Sequence, residues 1–275
     1  MTRWLRKAPV YAVLLLLAAM WLLPVASSFL VSFKSSEDFV SQTFYQLPTQ
    51  IYFFKNLATV IAQYRLLDNL GNSLMYSALG TLVVVVAASL AGFSIVRLRP
   101  KFNFALFLII YSGTLFPFQM YLIPVYRLFN TLNLYDTRTG MVLIYSAICI
   151  PFSLFVYRGF YTTIPREIEE AAKLDGCGPA RSFFSVFLPQ SLAPTAVVAL
   201  FQATWIWNDL LFGMVLSRAQ SVRPIMVAVA TMTGYGGGNI PWIMTAVIFT
   251  SIPTILLFVA LRKFFIQGMV LSITS

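Results

Sequence analysis

Apolar residues along this chain gather into six long blocks separated by short polar intervals, at about 9–33, 73–96, 102–126, 139–160, 191–217 and 240–264. Each block is long enough to cross a bilayer as an α-helix, which takes about 20 apolar residues, and none holds a central run of charges. The pattern predicts an all-α, polytopic membrane protein, since in lipid every backbone polar group has to be satisfied within its own helix or a closed barrel. Composition points the same way: 59% of residues are hydrophobic, 10% are charged and the mean hydropathy is +0.81, outside the balance of soluble domains. Pro24, Pro117, Pro124, Pro151 and Pro253 fall inside blocks and read as kinks whose freed carbonyls neighbouring helices can satisfy. Arg3, Arg6 and Lys7 precede the first block. That block is too long for a cleaved secretory signal and reads as a retained anchor.

Lysine and arginine placement sets an orientation. The N-terminus (Arg3, Arg6, Lys7), the second connection (Arg97, Arg99, Lys101), the fourth (Arg158, Arg166, Lys173, Arg181) and the C-terminus (Arg262, Lys263) hold twelve of the 19 basic residues. The positive-inside rule therefore places both termini and the fourth connection in the cytoplasm. The net charge of +10 is mostly this anchoring pattern beside anionic lipid, and no basic stretch suggests nucleic-acid binding.

That fourth connection, 161–190, carries the most informative sequence. Glu170-Ala171-Ala172-Lys173-Leu174-Asp175-Gly176 is followed nine residues later by Val186-Phe187-Leu188-Pro189. Pro165 suits the first turn of a helix, and Glu167, Glu169 and Glu170 suit the positive end of its dipole. The helix should stop near Gly176. Gly178-Pro179 reads as a cap and first residue of a second short helix carrying Phe183, Phe184, Val186 and Phe187, closed by Leu188-Pro189. The predicted unit is helix, glycine turn, helix.

This spacing resembles the EAA loop of the membrane permeases of binding-protein-dependent ABC importers: Glu-Ala-Ala, three residues, Gly, nine residues, an aliphatic, any residue, Leu-Pro. Every fixed position is met, with Val186 in the aliphatic slot. The resemblance covers nearly the whole chain and implies the type I ABC importer permease fold, with six transmembrane helices forming a single domain over 1–275. It implies a non-catalytic subunit in a bacterial or archaeal inner membrane, paired with a second homologous permease, two ABC ATPase subunits and an extracytoplasmic solute-binding protein. ATP and Mg would be bound by the ATPases, with no cofactor in this chain. Glu170, Ala171, Ala172, Asp175, Gly176, Leu188 and Pro189 would form the ATPase-coupling element, with Glu170 matching the glutamate that meets a basic residue in the ATPase groove.

Catalytic chemistry is sparse. The chain has no histidine, which removes His triads, His bases and His metal ligands. Its two thiols, Cys149 and Cys177, lie in a span and in the fourth connection, so neither a disulfide nor a zinc site is suggested. No Gly-x-x-x-x-Gly-Lys-Ser/Thr phosphate loop occurs, so ATP hydrolysis is expected in other subunits. An ion-coupled carrier acting without an ATPase and an integral-membrane enzyme are the alternatives. The lone acid within the blocks, Asp209 in Trp207-Asn208-Asp209, lacks the partnered network that a proton-coupled carrier uses.

Trp-Asn followed by an acid at this place resembles a recurrent feature of the carbohydrate, or maltose-permease, branch, which implies a sugar or sugar-like solute. There Trp207, Asn208 and Asp209 would fix helix packing or line a water-accessible pocket, with Asn208 expected to hold the Asp209 carboxylate. The first external connection, 34–72, is rich in aromatics; the resemblance implies interfacial helix there and surface for the partner subunit or the binding protein, and a membrane-surface aromatic belt is the other reading. Tyr235, Gly236, Gly237, Gly238, Asn239 and Trp242 make a low-bulk turn at the place where the branch has a loop reaching toward the solute-binding protein, and a plain flexible connector is the other reading. Phe264 to Gly268 is similar to the start of the branch's cytoplasmic tail. The Gly-Ala-Val-Lys-Gly-like end that would follow is not matched before Ser275, so the resemblance assigns the tail no ATPase contact.

Overall fold

The computed structural model describes residues 7–43, 45–98, 100–234 and 238–273. In chain order its helices are α1 (Ala8–Ser32), α2 (Ser36–Ser41), α3 (Phe53–Tyr64), α4 (Leu66–Phe93), α5 (Asn103–Tyr111), α6 (Phe118–Thr131) and α7 (Arg138–Thr163). They continue as α8 (Arg166–Leu174), α9 (Pro179–Ser182), α10 (Leu192–Asn208), α11 (Leu211–Leu216), α12 (Ile225–Thr231) and α13 (Ile240–Ile273). The fold is all-α. Among the described residues four helical stretches are long and apolar enough to cross a membrane: Pro9–Ser32, Leu66–Leu98, Arg138–Thr163 and Ile240–Lys263. Two bent pairs raise the number to six if each counts as one broken span.

Those bent pairs differ from the continuous blocks read in the sequence. Over the third block, 102–126, the helical stretches Asn103–Thr114 and Phe118–Thr131 meet at 97°. The break lies at Pro117, which caps α6 with ψ 132°; proline supplies no N–H to continue the preceding helix, and the residue before it is pushed away from helical geometry. Over the fifth block, 191–217, α10 ends at Asn208 and a separate short helix follows, while Pro179–Gln190 meets α10 at 75°.

The chain divides into two compact units. The first comprises residues 1–67 and 228–252. Its α1 is exposed from Pro9 to Ala26 and apolar all round, the composition of a helix whose solvent is lipid. Side-chain hydrogen bonds hold the end of α1. Asn56 is buried and donates to the carbonyls of Ser32 and Lys34 at 3.2 and 3.0 Å, satisfying C-terminal carbonyls that have no partner in their own helix. Asp38 accepts from the Thr49 amide, the Thr49 hydroxyl and the Gln42 amide group, folding 38–49 back on itself. The first connection thus contains two helices and a closed loop.

The second unit comprises 68–227 and 253–275, and α7 lies at its centre. Tyr145, Tyr157 and Tyr161 are fully buried. Gly92 lets α4 run against α7, since a Cβ there would stand 3.0 Å from the Tyr157 Cβ and 3.2 Å from the Arg158 amide nitrogen; small residues at membrane helix crossings allow this approach. Side-chain hydrogen bonds join α7 to α10: Tyr157 to Thr195 at 2.8 Å, and Gln202 donating to the Ser153 hydroxyl at 3.0 Å. At the start of α4, the Tyr76 hydroxyl donates to the Val222 carbonyl at 2.7 Å, Asn72 donates to the Arg223 carbonyl, and the Ser73 hydroxyl accepts from the Ile225 amide. Asp136 accepts from the amides of Arg218 and Ala219 at 2.7 and 2.9 Å. The segment 217–225 is therefore fixed through its main chain.

Candidate functional site

The fourth connection folds as helix, glycine turn, helix. Pro165 caps α8, with Glu167 and Glu169 in its first turn and Lys173 in its last, each charge opposite to the nearby dipole end. The Gly176 amide donates to the Lys173 carbonyl at 3.0 Å and the Cys177 amide to the Ala172 carbonyl at 2.9 Å. These are the two bonds of a Schellman ending, and Gly176 has the left-handed φ of +75° that it demands. Gly178 then caps α9 with Pro179 at its first position. The second helix differs from its expectation at the far end. It widens into a π turn over Phe183–Phe187 and continues through Leu188–Gln190 with Pro189 in the first turn, so Leu188-Pro189 lies inside the helical stretch.

Burial splits the motif residues. Ala172 is 6% exposed, and Ile168, one turn earlier, packs against the core, so the alanine serves the seat of α8. Glu170, Ala171 and Asp175 are exposed, and Leu174 beside the glycine turn is 90% exposed. A leucine bare to that degree next to the turn makes an apolar knob ringed by charge. Beneath the unit, Phe187 meets Phe93 at 5.0 Å between ring centroids, Phe183 meets Phe93 at 5.3 Å, and Tyr161 meets Phe187 at 6.0 Å. Glu169 faces inward to Arg97 at 3.5 Å and is also paired with Lys173 at 2.6 Å. The sequence reading used Arg97 only as an orienting charge and did not single out Leu174. The exposed apolar tip of an otherwise polar helix was the signal available for Leu174; Arg97 lies too far along the chain for any local pattern to pair it.

The Trp207-Asn208-Asp209 segment sits where α10 ends. Asp209 is buried at 8% exposure, accepting from the Tyr145 hydroxyl at 3.0 Å, the Gly213 amide at 3.0 Å and the Phe212 amide at 3.4 Å. It thus caps the start of α11 and ties it to α7. Asn208 is exposed and donates to the Thr204 carbonyl at 2.8 Å; the partner holding Asp209 is Tyr145, 64 residues away, in place of the expected Asn208. Asn208 and Asp209 also line a cleft of about 920 Å³ with Phe118, Phe201, Thr204 and Trp205. Trp207 is buried and lines a smaller cavity of about 280 Å³ with Ser77 and Thr81, whose hydroxyls have no hydrogen-bond partner among the described residues. The remaining candidates separate. Asn239 accepts from the Trp242 amide at 3.3 Å and donates to the Ser36 hydroxyl at 2.5 Å, Trp242 is half-buried and Gly238 has φ +62°. Tyr235, Gly236 and Gly237 lie outside the described residues.

Known proteins resemble this chain in sequence and in fold. The family model described as "Binding-protein-dependent transport system inner membrane component" matches residues 8–270. The melibiose/raffinose/stachyose import permease protein MelC of Bacillus subtilis (strain 168) is 29% identical over 239 residues, 86% of this chain and 86% of its own length. A solved bacterial ABC transporter involved in the import of the acidic polysaccharide alginate contains a chain that superposes with a TM-score of 0.81 at 23% identity, covering 94% of this chain and 96% of that one. A second structure, of a bacterial alginate ABC transporter in complex with an alginate pentasaccharide-bound periplasmic protein, superposes with a TM-score of 0.69 at 15% identity, covering 94% of each.

Proposed function

The chain belongs to the family of binding-protein-dependent transport system inner membrane components, and from that membership we propose that it forms half of the translocation path of an ABC importer for a sugar or sugar-like solute. A second, related permease completes the path, two ATPase subunits bind ATP with Mg on the cytoplasmic side, and a solute-binding protein delivers from outside. The termini and the EAA unit face the cytoplasm, following the lysine and arginine distribution. This subunit does no covalent chemistry.

The observation that carries the reading is the EAA unit itself: a helix ended by a Schellman turn at Gly176, seated by Ile168 and Ala172, and presenting Glu170, Ala171 and Leu174 outward. A bare leucine between charged residues fits a groove in a partner, where apolar burial supplies adhesion and charge sets register. Closure of the ATPase pair on ATP moves this unit as a body and rocks the helices beneath it. The solute class is supported by the sugars in the relative's name and by the cleft of Phe118, Phe201 and Trp205 with Thr204 and Asn208, since aromatic faces with a few polar groups suit a sugar ring. Asp209 acts as a helix cap.

Co-expression with the ATPases, second permease and binding protein of the same transporter, followed by reconstitution into vesicles, tests the whole reading. The expected result is ATP hydrolysis stimulated by loaded binding protein and accumulation of one member of an oligosaccharide panel. Accumulation without any ATPase subunit would overturn it in favour of a carrier.

A further inference from the structure

Three segments of the EAA region converge on one side chain at the far end of α4. Arg97 lies in the π turn Ser94–Leu98 that follows this helix, with its side chain 5% exposed. Its Nη2 donates to the carbonyls of Tyr161 and Ile164 at 2.7 and 2.5 Å, oxygens at the end of α7 where a helix leaves its own carbonyls unpaired. Its Nη1 is 3.5 Å from the Glu169 Oε2 of α8. The guanidinium also stands 4.9 Å from the centroid of the Phe187 ring, beyond the glycine turn. A planar fork with several donors and a stacking face can meet two carbonyls, a carboxylate and a ring from one position; a compact ammonium cannot.

We propose that Arg97 is the positioning residue that joins α4 to the EAA unit, so that a displacement of α8 reaches α4 as well as α7, with Glu169 as the acidic half of the joint. The inference rests on the permease reading above. The covalent path from α8 to α7 is only Ile164 and Pro165, a short link whose dihedrals can swivel. The aromatic cluster of Phe93, Phe183 and Phe187 adds adhesion, yet packed faces slide over one another in shear motions. The ion pair of Arg97 and Glu169 joins side chains 5% and 17% exposed and resists separation, because a guanidinium buried to that degree is costly to leave without its carboxylate, while Glu169 keeps Lys173 as a second partner. The adjacent acids thereby divide the work: Glu169 holds the unit to its own bundle, and Glu170 is left free to face outward.

The complete transporter, with both permeases, ATPases and binding protein in lipid vesicles, provides the test. Nitroxides at Leu90→Cys on α4 and Glu167→Cys on α8, in a Cys149→Ala, Cys177→Ser background, report the distance between the two helices with and without ATP and vanadate. The arginine form should give one narrow distribution in both states. Arg97→Gln should broaden it and lower binding-protein stimulation of ATP hydrolysis about tenfold, the scale of one lost charge-assisted contact. Arg97→Lys should recover part of the stimulation and Glu169→Gln should fall between. A narrow distribution with full stimulation in Arg97→Gln overturns the proposal. Should that variant fail to assemble, Arg97→Lys and Glu169→Gln decide: reduced stimulation with ATPases still bound supports the joint, and full stimulation in both overturns it. An unsubstituted complex lacking any binding-protein stimulation would contradict the permease reading and not the joint.

Discussion

The two ends of α4 hold their neighbours with different chemistry. At its start, Asn72, Ser73 and Tyr76 bond to main-chain groups of 222–225. At its end, Arg97 reaches carbonyls, a carboxylate and a ring in three separate segments. Main-chain anchoring fixes a segment whatever side chains it carries, and it yields to no change of charge. The charged joint is specific to its partners and sits under the unit proposed to couple to the ATPases. The same helix therefore ends in a pinned scaffold on one side and, on the proposal above, a transmitting contact on the other.

The largest effect expected at the transmitting end comes from Gly176→Val. The left-handed φ of +75° costs a side-chain-bearing residue about 1–2 kcal/mol, and for a β-branched one the turn is expected to relax and misaim α8. Purified complexes should lose their ATPase subunits or keep them with transport abolished; normal co-purification and transport would remove the distinction between the ends. Leu174→Asp should come next, weakening ATPase co-purification without shifting the thermal midpoint of the isolated subunit, because the side chain is 90% exposed and supports nothing within the chain.

At the pinned end the order reverses. Tyr76→Phe leaves the Val222 carbonyl without its buried donor and should lower stability by about 1–3 kcal/mol, read as a drop in thermal midpoint, while ATPase co-purification is unchanged. Asp209→Asn, which retains one acceptor oxygen for the Tyr145 hydroxyl and the α11 amides, should cost a similar or smaller amount and retain substantial ATP-dependent uptake; loss of uptake in a well-assembled complex would make the carboxylate a participant in transport. The smallest effect belongs to Glu170→Ala. The group is exposed, so its worth lies only in the partner's groove, and a mild loss of stimulated hydrolysis is expected with no change in the subunit's own melting.

The glycine turn was legible from sequence because its determinants are local: Gly176, Gly178 and Pro179 specify left-handed geometry, a cap and a first helical residue within four positions. The helix break at Pro117 rests on an equally local residue, yet the apolar run through it reads as continuous, since hydropathy does not distinguish a kink from a sharp bend. Asp209 stood out as an acid among apolar residues, whereas its partner Tyr145 could not be found by proximity in the chain. Arg97 was visible only as a charge, and its role depends on side-chain contacts 64 to 90 residues further on. Local backbone chemistry reads forward from sequence; long-range pairing among buried polar groups does not.

Leu174 carries a further consequence for how cells have to make this protein. A leucine with nine-tenths of its surface bare gains by burial wherever a partner covers it, and on the coupling reading it stays bare until an ATPase subunit docks. Copies synthesised in excess of the ATPase subunits would present that leucine to one another, to chaperones and to proteases that survey for exposed apolar side chains. On the coupling reading, raising the level of this chain alone should therefore shorten its lifetime, and Leu174→Asp should lengthen it again.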